Sequence, residues 1–283
     1  MLNLTNVNEI KPLLAEYGFH FSKAKGQNFL TADWVPRRIA EEAGVDAGAG
    51  VLEIGPGIGP LTQQLCLRAG KVVAVEVDRS LAPILRRTLG EFDNLEIVFD
   101  DVMKLDLKEL VETRFPGLRR MACANLPYYI TSPILTLLLE SCLFDSVTVM
   151  VQKEVAQRIC AAPGTEDYSA FTVFCNYYAS PRILFDVPPS CFLPQPKVTS
   201  AVITLPRRTE PLCEIKDEEL FFRVVRSSFA MRRKTLVNGL AAGFPGRTKQ
   251  ELTELLISLG HAPTVRGETL SIPEFAAIAN ALG

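Results

Sequence analysis

Four consecutive residues, Asn125-Leu126-Pro127-Tyr128, hold the most suggestive chemistry in the chain. An apolar run, Met121 to Ala124, precedes them and reads as a buried strand. The end of that strand presents a carboxamide, a backbone carbonyl beside a stiff proline turn, and an aromatic ring. The Asn125 oxygen and the Leu126 carbonyl can accept both hydrogens of an exocyclic amine such as that of adenine. Gripping both draws the nitrogen toward sp3 geometry and aims its lone pair, while Tyr128 stacks on the base. Asn cannot take up a proton as a carboxylate would, so this chemistry rests on positioning rather than on a strong general base. Taken alone, the same residues could be an Asx turn beside a core tyrosine, so the segments around them decide.

Upstream, "VLEIGPGIGPLT" sets Gly55, Gly57 and Gly59 between a strand and a helix. Glycines there let the backbone approach a ligand closely at the start of a helix. Pro60 stands where the dinucleotide fingerprint needs glycine, which weakens a nicotinamide-cofactor reading. Glu76 ends the next strand, "VVAVEVD", about twenty residues on, where a carboxylate can accept from a ribose diol. Asp101 follows the third strand and can accept from the amino group of an adenine; the alternative for both acids is a solvated strand end. Asp78 and Asp100 are the neighbours most easily confused with them. A nucleoside cofactor without a pyrophosphate suits this pattern, and acid-x-Gly-x-Gly-x-Gly followed by an acid resembles the class I S-adenosylmethionine-dependent methyltransferases.

The elements that must hold these groups alternate. "GVLEIG", "KVVAVEVD", "NLEIVFD", "RRMACAN" and "SVTVMVQ" read as strands. Helices are expected over Thr31 to Ala43, Pro60 to Ala69, "RSLAPILRRTLG", "SPILTLLLESC" with Ser132 as cap, and "KEVAQRICAA". This alternation predicts an α/β fold, a mostly parallel Rossmann-like sheet with helices on both faces. "RILFDV" and "KVTSAVITL" read as a late antiparallel pair at a sheet edge. The alternation stops near Leu205, and helices alone follow: Glu218 to Phe229, Arg233 to Ala242, Thr248 to Leu259 and Ile272 to Leu282. The expected organisation is a cofactor-binding catalytic domain over residues 1–209 and a small all-helical recognition domain over 210–283.

Composition narrows the class. Of 283 residues, 48% are hydrophobic, enough for a real core and against disorder. The net charge of −2 excludes a global polycation, so a nucleic-acid partner needs a local basic face. Seven cysteines, an odd number without C-x-x-C, read as reduced thiols of a cytoplasmic protein. Two histidines argue against a His-rich metal site, and no metal is expected. The N-terminus lacks the pattern of a signal peptide, and no run of about 18 apolar residues predicts a membrane span.

Seven stretches occur together and in order: "GQNFL", "EIGPGIGPLT", "NLPYYITSP", "VQKEVAQRI", "YSAFTV", "FLPQPKVTSAV" and "SSFAMRRKTLVNGL". In this the chain resembles the ribosomal RNA adenine dimethylase family from about Lys23 to its end, most closely its bacterial small-subunit branch. The resemblance implies dimethylation of N6 on two adjacent adenines in the 3′-terminal hairpin loop of 16S rRNA, with S-adenosylmethionine as donor. It implies that Asn28 and Leu30, the latter through its backbone, join Gly55, Glu76, Asp101 and Asn125 around the donor. It also implies that Phe192 stacks on the target base opposite Tyr128; otherwise Phe192 is a core phenylalanine. Tyr129 departs from the family, where Asn or His is common, and leaves the pocket's fine shape open.

For RNA, "RVVRSSFAMRRK" supplies Arg223, Arg226, Arg232, Arg233 and Lys234 without an acid, and Lys23, Lys25, Arg37 and Arg38 form a second group. Either run could instead be a solvated face. The five aromatics of "YSAFTVFCNYY" read as core, with Tyr168 at an exposed start as the one stacking candidate. The expected partner is 16S rRNA within the small ribosomal subunit, bound by a monomer. Two readings compete, besides a DNA adenine methyltransferase, which the extended match to the ribosomal family disfavours. One is a 23S rRNA adenine methyltransferase conferring macrolide resistance, disfavoured by the acidic balance and long helical C-terminus. The other is a non-catalytic assembly or nucleic-acid-binding factor, disfavoured by the intact glycines and Asn-Leu-Pro-Tyr.

Overall fold

The computed structural model describes residues 2–19 and 27–283. The chain forms two compact units, Met1–Ala156 with Pro181–Arg207, and Gln157–Ser180 with Arg208–Gly283.

The first unit opens with α1 (Val7–Glu16), capped by the Asn6 side chain, and the two-residue β1 (Phe29–Leu30). There follow α2 (Trp34–Glu42), β2 (Ala49–Ile54), α3 (Pro60–Cys66), β3 (Lys71–Val75), α4 (Ala82–Leu89) and β4 (Leu95–Val98). Then come α5 (Leu107–Arg114), β5 (Arg119–Asn125), α6 (Thr131–Glu140), β6 (Ser146–Gln152) and α7 (Lys153–Ile159), which runs into the second unit. After α8 (Ala170–Tyr178), the chain returns through β7 (Arg182–Val187), β8 (Phe192–Leu193) and β9 (Ser200–Pro206). Seven strands form one sheet in the order β4-β3-β2-β5-β6-β9-β7. β4, β3, β2, β5 and β6 are parallel; β9 and β7 run antiparallel at the edge, as the late pair predicts. Every residue of β2 is buried, as expected of a parallel strand covered on both faces. β2 leads on to β3 on one side, whereas β5 joins on the other, so the order reverses between β2 and β5. Such a reversal opens a crevice at the carboxyl ends of the strands, which is where ligands bind in these sheets.

The second unit holds α8, α9 (Glu218–Ala230), α10 (Leu236–Gly243), α11 (Lys249–Ser258) and α12 (Ile272–Leu282). Ser169 with Thr172, Thr248 with Glu251 and Ser271 with Glu274 form capping boxes that start α8, α11 and α12. Phe221 and Phe275 lie fully inside, each contributing roughly 2–3 kcal/mol by burial.

Several sequence expectations change here. Residues 157–180, which strand–helix alternation places in the catalytic domain, pack with the C-terminal helices. The reason is aromatic: Phe174 lies 5.7 Å from Phe222, Tyr177 5.4 Å from Phe221 and Tyr168 5.7 Å from Phe229. Tyr168 is 3% exposed and its hydroxyl donates to the Leu270 carbonyl at 2.9 Å, so it is a core residue and not a stacking platform. The sequence pattern does not announce α5 and α8, and α3 ends three residues earlier than it predicts. α6 begins at Thr131 rather than after Ser132, because a 3-10 turn over Tyr128–Ile130 leads into it. α10 begins at Leu236, leaving Arg233 and Lys234 in the preceding turn.

Candidate active site

A cavity of about 250 Å³ opens at the β2/β5 reversal. It is lined by the ends of β2, β3 and β5, the segment around β1, and Phe192 of β8. Register brings these ends level: Ile54 pairs with Val75 on one side and with Ala124 on the other. Glu76 and Asn125 therefore emerge at one height on either side of the glycine loop.

Gly55, Gly57 and Gly59 all have positive φ, at 71°, 60° and 98°. A Cβ on Gly57 would lie 3.2 Å from the Phe29 ring, and one on Gly59 2.9 Å from Leu89. Both positions therefore require glycine for conformation and for space. A Cβ on Gly55 would meet nothing within 4 Å, so the backbone there faces open space in the cavity wall.

Glu76 is buried; its Oε1 accepts from the Asp78 N–H at 2.8 Å and its Oε2 from the Gly57 N–H at 3.3 Å. Its carboxyl is thus aimed along the glycine loop. Burial raises its pKa, and the two backbone N–H groups oppose that rise. Asp78 serves as scaffold, accepting from Gln27 Nε2 at 2.9 Å and from the Ser80 hydroxyl at 2.6 Å. Asp100 and Asp101 both line the cavity. Asp101 Oδ1 accepts from the Met103 N–H at 3.0 Å, and Asp100 Oδ1 from the Asp101 N–H at 2.7 Å.

Glu53 opens the acid-x-Gly-x-Gly-x-Gly pattern, yet the sequence suggests no separate role for it. It is 1% exposed, lines the cavity, and its Oε2 has no hydrogen-bond partner among the described residues. Burial, reinforced by the nearby Glu76 charge, pushes its pKa up to about 8. A buried carboxyl with an orphaned oxygen, a second carboxyl beside it and an open glycine loop fit a nucleoside cofactor that carries positive charge.

At the end of β5, the Asn125 Nδ2 donates to the Asn28 carbonyl at 3.4 Å. This bond sets the sense of the amide and leaves Oδ1 as the available acceptor. The Leu126 N–H donates to the Met150 carbonyl at 3.3 Å and pins the backbone there. Tyr128 is half-buried and its hydroxyl lies 2.8 Å from the Ser200 Oγ. Burial raises the phenol pKa, so the ring stays neutral and is no proton acceptor. Tyr129, 66% exposed, stands at the rim. Leu30 and Phe192 face each other in the β1–β8 ladder, both buried in the core and both lining the cavity. Phe192 is thus a core residue and a wall of the site at once. Asn28, Leu30, the glycines, Glu76, Asp101, Asn125, Leu126, Pro127, Tyr128 and Phe192 all meet here, save that Gly59 supports the loop from behind.

The basic run divides. Arg223 donates to the Gly243 carbonyl at 2.7 Å and lies over the Phe244 ring, and Arg232 donates to the Glu166 carbonyl at 2.7 Å and pairs with Glu268. Arg226, Arg233 and Lys234 are exposed without an ion pair among the described residues. Arg37 is exposed, while Arg38 pairs with Glu42 and lies over Phe185. Lys23 and Lys25 fall outside the described residues. Among the described residues there is no cluster of three metal-binding side chains and no helix long and apolar enough to cross a membrane.

The mostly parallel sheet and the glycine loop with its two acids, at the point where the strand order reverses, together define a class I methyltransferase. The chain belongs to the ribosomal RNA adenine dimethylase family, whose profile matches residues 18–278. It is 49% identical over 276 residues to Ribosomal RNA small subunit methyltransferase A of Geobacillus thermodenitrificans, covering 96% of this chain and 94% of that one. The protein of the same name from Alkaliphilus oremlandii is 45% identical over 283 residues, covering 100% and 99%. Among solved structures, a dimethyladenosine transferase from Plasmodium falciparum superposes with a TM-score of 0.72 at 26% identity, over 88% of this chain and 95% of that one. The 23S rRNA methyltransferase ErmE superposes with a TM-score of 0.69 at 28% identity, over 90% and 99%.

Proposed function

We propose that this protein dimethylates N6 of two adjacent adenines in the 3′-terminal hairpin loop of 16S rRNA, acting as a monomer in the cytoplasm on partly assembled small subunits. The observation that carries the reading is the end of β5. There Asn125 Oδ1 is left as an acceptor beside Leu126, between the glycine-loop cavity and the rings of Tyr128 and Phe192. S-adenosylmethionine, when bound, supplies an electrophilic methyl group on a positively charged sulfur. Gly55, Gly57 and Glu76 are assigned to its ribose and methionyl parts, Asp101 to its adenine, and Asn28 and Leu30 to the near wall. The buried Glu53 carboxyl, neutral in the ligand-free protein, would ionise more readily beside that positive charge, with Oε2 as the unpartnered acceptor.

The target base enters between Tyr128 and Phe192, and its amine hydrogens are accepted by Asn125 Oδ1 and the Leu126 carbonyl. The nitrogen lone pair then points at the methyl carbon. The bound donor would supply its methyl group to that lone pair, its sulfur keeping the electrons of the carbon–sulfur bond, while Asn125 and Leu126 hold the amine in line. The amine, briefly cationic, then releases its proton to solvent. Neither Asn125 nor the neutral Tyr128 phenol takes that proton, and a methylated ammonium on an aromatic ring is acidic enough to need no base.

Relatives at 45–49% identity over nearly the whole chain bear small-subunit names, which favours the small-subunit substrate over the 23S alternative. The deciding experiment is mass spectrometry of 16S rRNA from a strain lacking this protein. Two unmethylated adjacent adenines, restored by the wild-type gene and not by Asn125→Ala, are expected. Fully dimethylated adenines in the deletion strain would refute the reading.

A further inference from the structure

The hydrogen bond between Tyr128 and Ser200 is used nowhere in the chemistry above, yet it is built into the sheet. Ser200 is 0% exposed and opens β9, where it pairs with Gln152 of β6 on one side and Val187 of β7 on the other. Serine is a poor residue for a buried strand, where β-branched side chains fit better. Its Oγ has one partner among the described residues, the Tyr128 hydroxyl at 2.8 Å, and that hydroxyl has no other. Tyr128 itself belongs to no strand. It starts a single 3-10 turn, Tyr128–Ile130, closed by the Ile130 N–H on the Pro127 carbonyl at 3.2 Å. The other ring of the base site is held differently. Phe192 is 3% exposed and its backbone is laddered to Leu30. One wall is therefore fixed by its own strand, and the other by a hydroxyl tether to a neighbouring strand.

We propose that Ser200 is a positioning residue for the target-base site, and that its tether on Tyr128 serves chiefly the second methyl transfer to each adenine. The inference rests on the adenine dimethylation proposed above. An unmodified amine carries two hydrogens for two acceptors, Asn125 Oδ1 and the Leu126 carbonyl. After the first transfer, the nitrogen carries one methyl and one hydrogen, so one acceptor loses its donor. Aiming the lone pair then falls to the clamp on the ring, of which Tyr128 is the movable half. Loosening that half costs the doubly gripped amine little and the singly gripped amine more. In each transfer one N–C bond forms, one C–S bond breaks with its electrons left on sulfur, and one proton leaves the amine; Ser200 changes the aim and not this balance.

The test uses the full-length protein and small subunits from the deletion strain, with products resolved by mass spectrometry over time. Ser200→Ala is expected to keep the first transfer within about threefold and slow the second about tenfold, the size of one missing hydrogen bond. Monomethylated adenine then accumulates. Tyr128→Phe keeps the ring and removes the same bond, so it should show the same stall even if Ser200→Ala folds poorly. The double variant should be no worse than either single one. Ser200→Thr, which keeps the hydroxyl, should restore dimethylation. A second readout needs no methyl donor: 2-aminopurine placed at the target position should be less quenched on Ser200→Ala than on wild type, with the dissociation constant of S-adenosylhomocysteine unchanged within about twofold. Mono- to dimethyl ratios equal to wild type in Ser200→Ala and Tyr128→Phe would overturn the tether and leave the enzyme's function standing. Failure of the wild-type protein to methylate those adenines would overturn both.

Discussion

The two compact units handle polarity in opposite ways. Among the described residues, all three buried acidic side chains, Glu53, Glu76 and Asp78, lie in the first unit. The second buries rings and small hydroxyls, such as Ser228, whose Oγ returns to the Val224 carbonyl; most of its arginines are exposed, and the half-buried Arg208 donates to the Asn176 carbonyl. A buried carboxylate without a cation costs stability, and a fold keeps one only where something else offsets it. The first unit thus keeps its acids inside, each placed near a strand end. The second presents, among the described residues, its unpaired charges at the surface, where they can change with little effect on the core. Five perturbations probe that contrast.

The largest effect is expected from Asn125→Ala. Removing one polarising acceptor at the reacting amine lowers the methylation rate by ~10²–10³. Cofactor affinity should stay close to wild type by calorimetry. Near-normal turnover would remove Asn125 from the mechanism.

Glu53 tests the cost of buried charge. Its folded pKa, about 8, lies above its unfolded value near 4.5, so its contribution to stability is fully present at low pH. That contribution is lost as pH rises from roughly 4.5 to about 8, because only the unfolded chain ionises easily in that window. The loss is on the order of 5 kcal/mol across it. In the ligand-free protein, the stability of wild type relative to Glu53→Gln should therefore fall with rising pH. Denaturant titrations at several pH values measure the difference; parallel curves would show that Glu53 is ionised in the folded state.

Glu76→Ala should weaken S-adenosylhomocysteine binding about ten- to a hundred-fold, since charge-assisted hydrogen bonds are worth roughly 1.5–3 kcal/mol. An unchanged dissociation constant would make Glu76 a support for the glycine loop through Gly57 and nothing more.

The smallest effect on the fold, and the sharpest on recognition, is expected in the second unit. Neutralising Arg226, Arg233 and Lys234 together should weaken binding to small subunits and lower its salt slope by up to about 0.7–0.9 for each phosphate no longer neutralised. Thermal stability should hardly move. Arg223→Ala should do the reverse and destabilise by about 1 kcal/mol, because its bond to the Gly243 carbonyl disappears. Equal salt slopes for wild type and the triple variant would transfer recognition to Arg37 and its neighbours.

Local signals in the sequence account for much of the site. Gly55, Gly57 and Gly59 announce a loop only glycine can make, and Glu76 and Asn125 stand at strand ends because apolar runs stop there. The helix boundaries drawn from the same signals shift by a few residues. Ser132 has the chemistry of a cap, yet the turn from Pro127 makes one unnecessary. The aromatics of residues 168–178 show that something packs there, but not against what.

By itself, the sequence determined the parallel α/β sheet, the glycine loop between strand and helix, the Asn-Leu-Pro-Tyr strand end and the family, because each is written in short-range pattern. Only the tertiary structure decided four other matters. It placed residues 157–180 with the C-terminal helices and buried Tyr168 against Phe229. It separated the anchored Arg223 and Arg232 from the exposed Arg226, Arg233 and Lys234. It left the Glu53 Oε2 without a partner among the described residues, and it brought Ser200 to the hydroxyl of Tyr128. These depend on pairings between residues 20 to 102 positions apart, where burial and hydrogen bonding are set by what the folded chain brings alongside, and no local pattern encodes that.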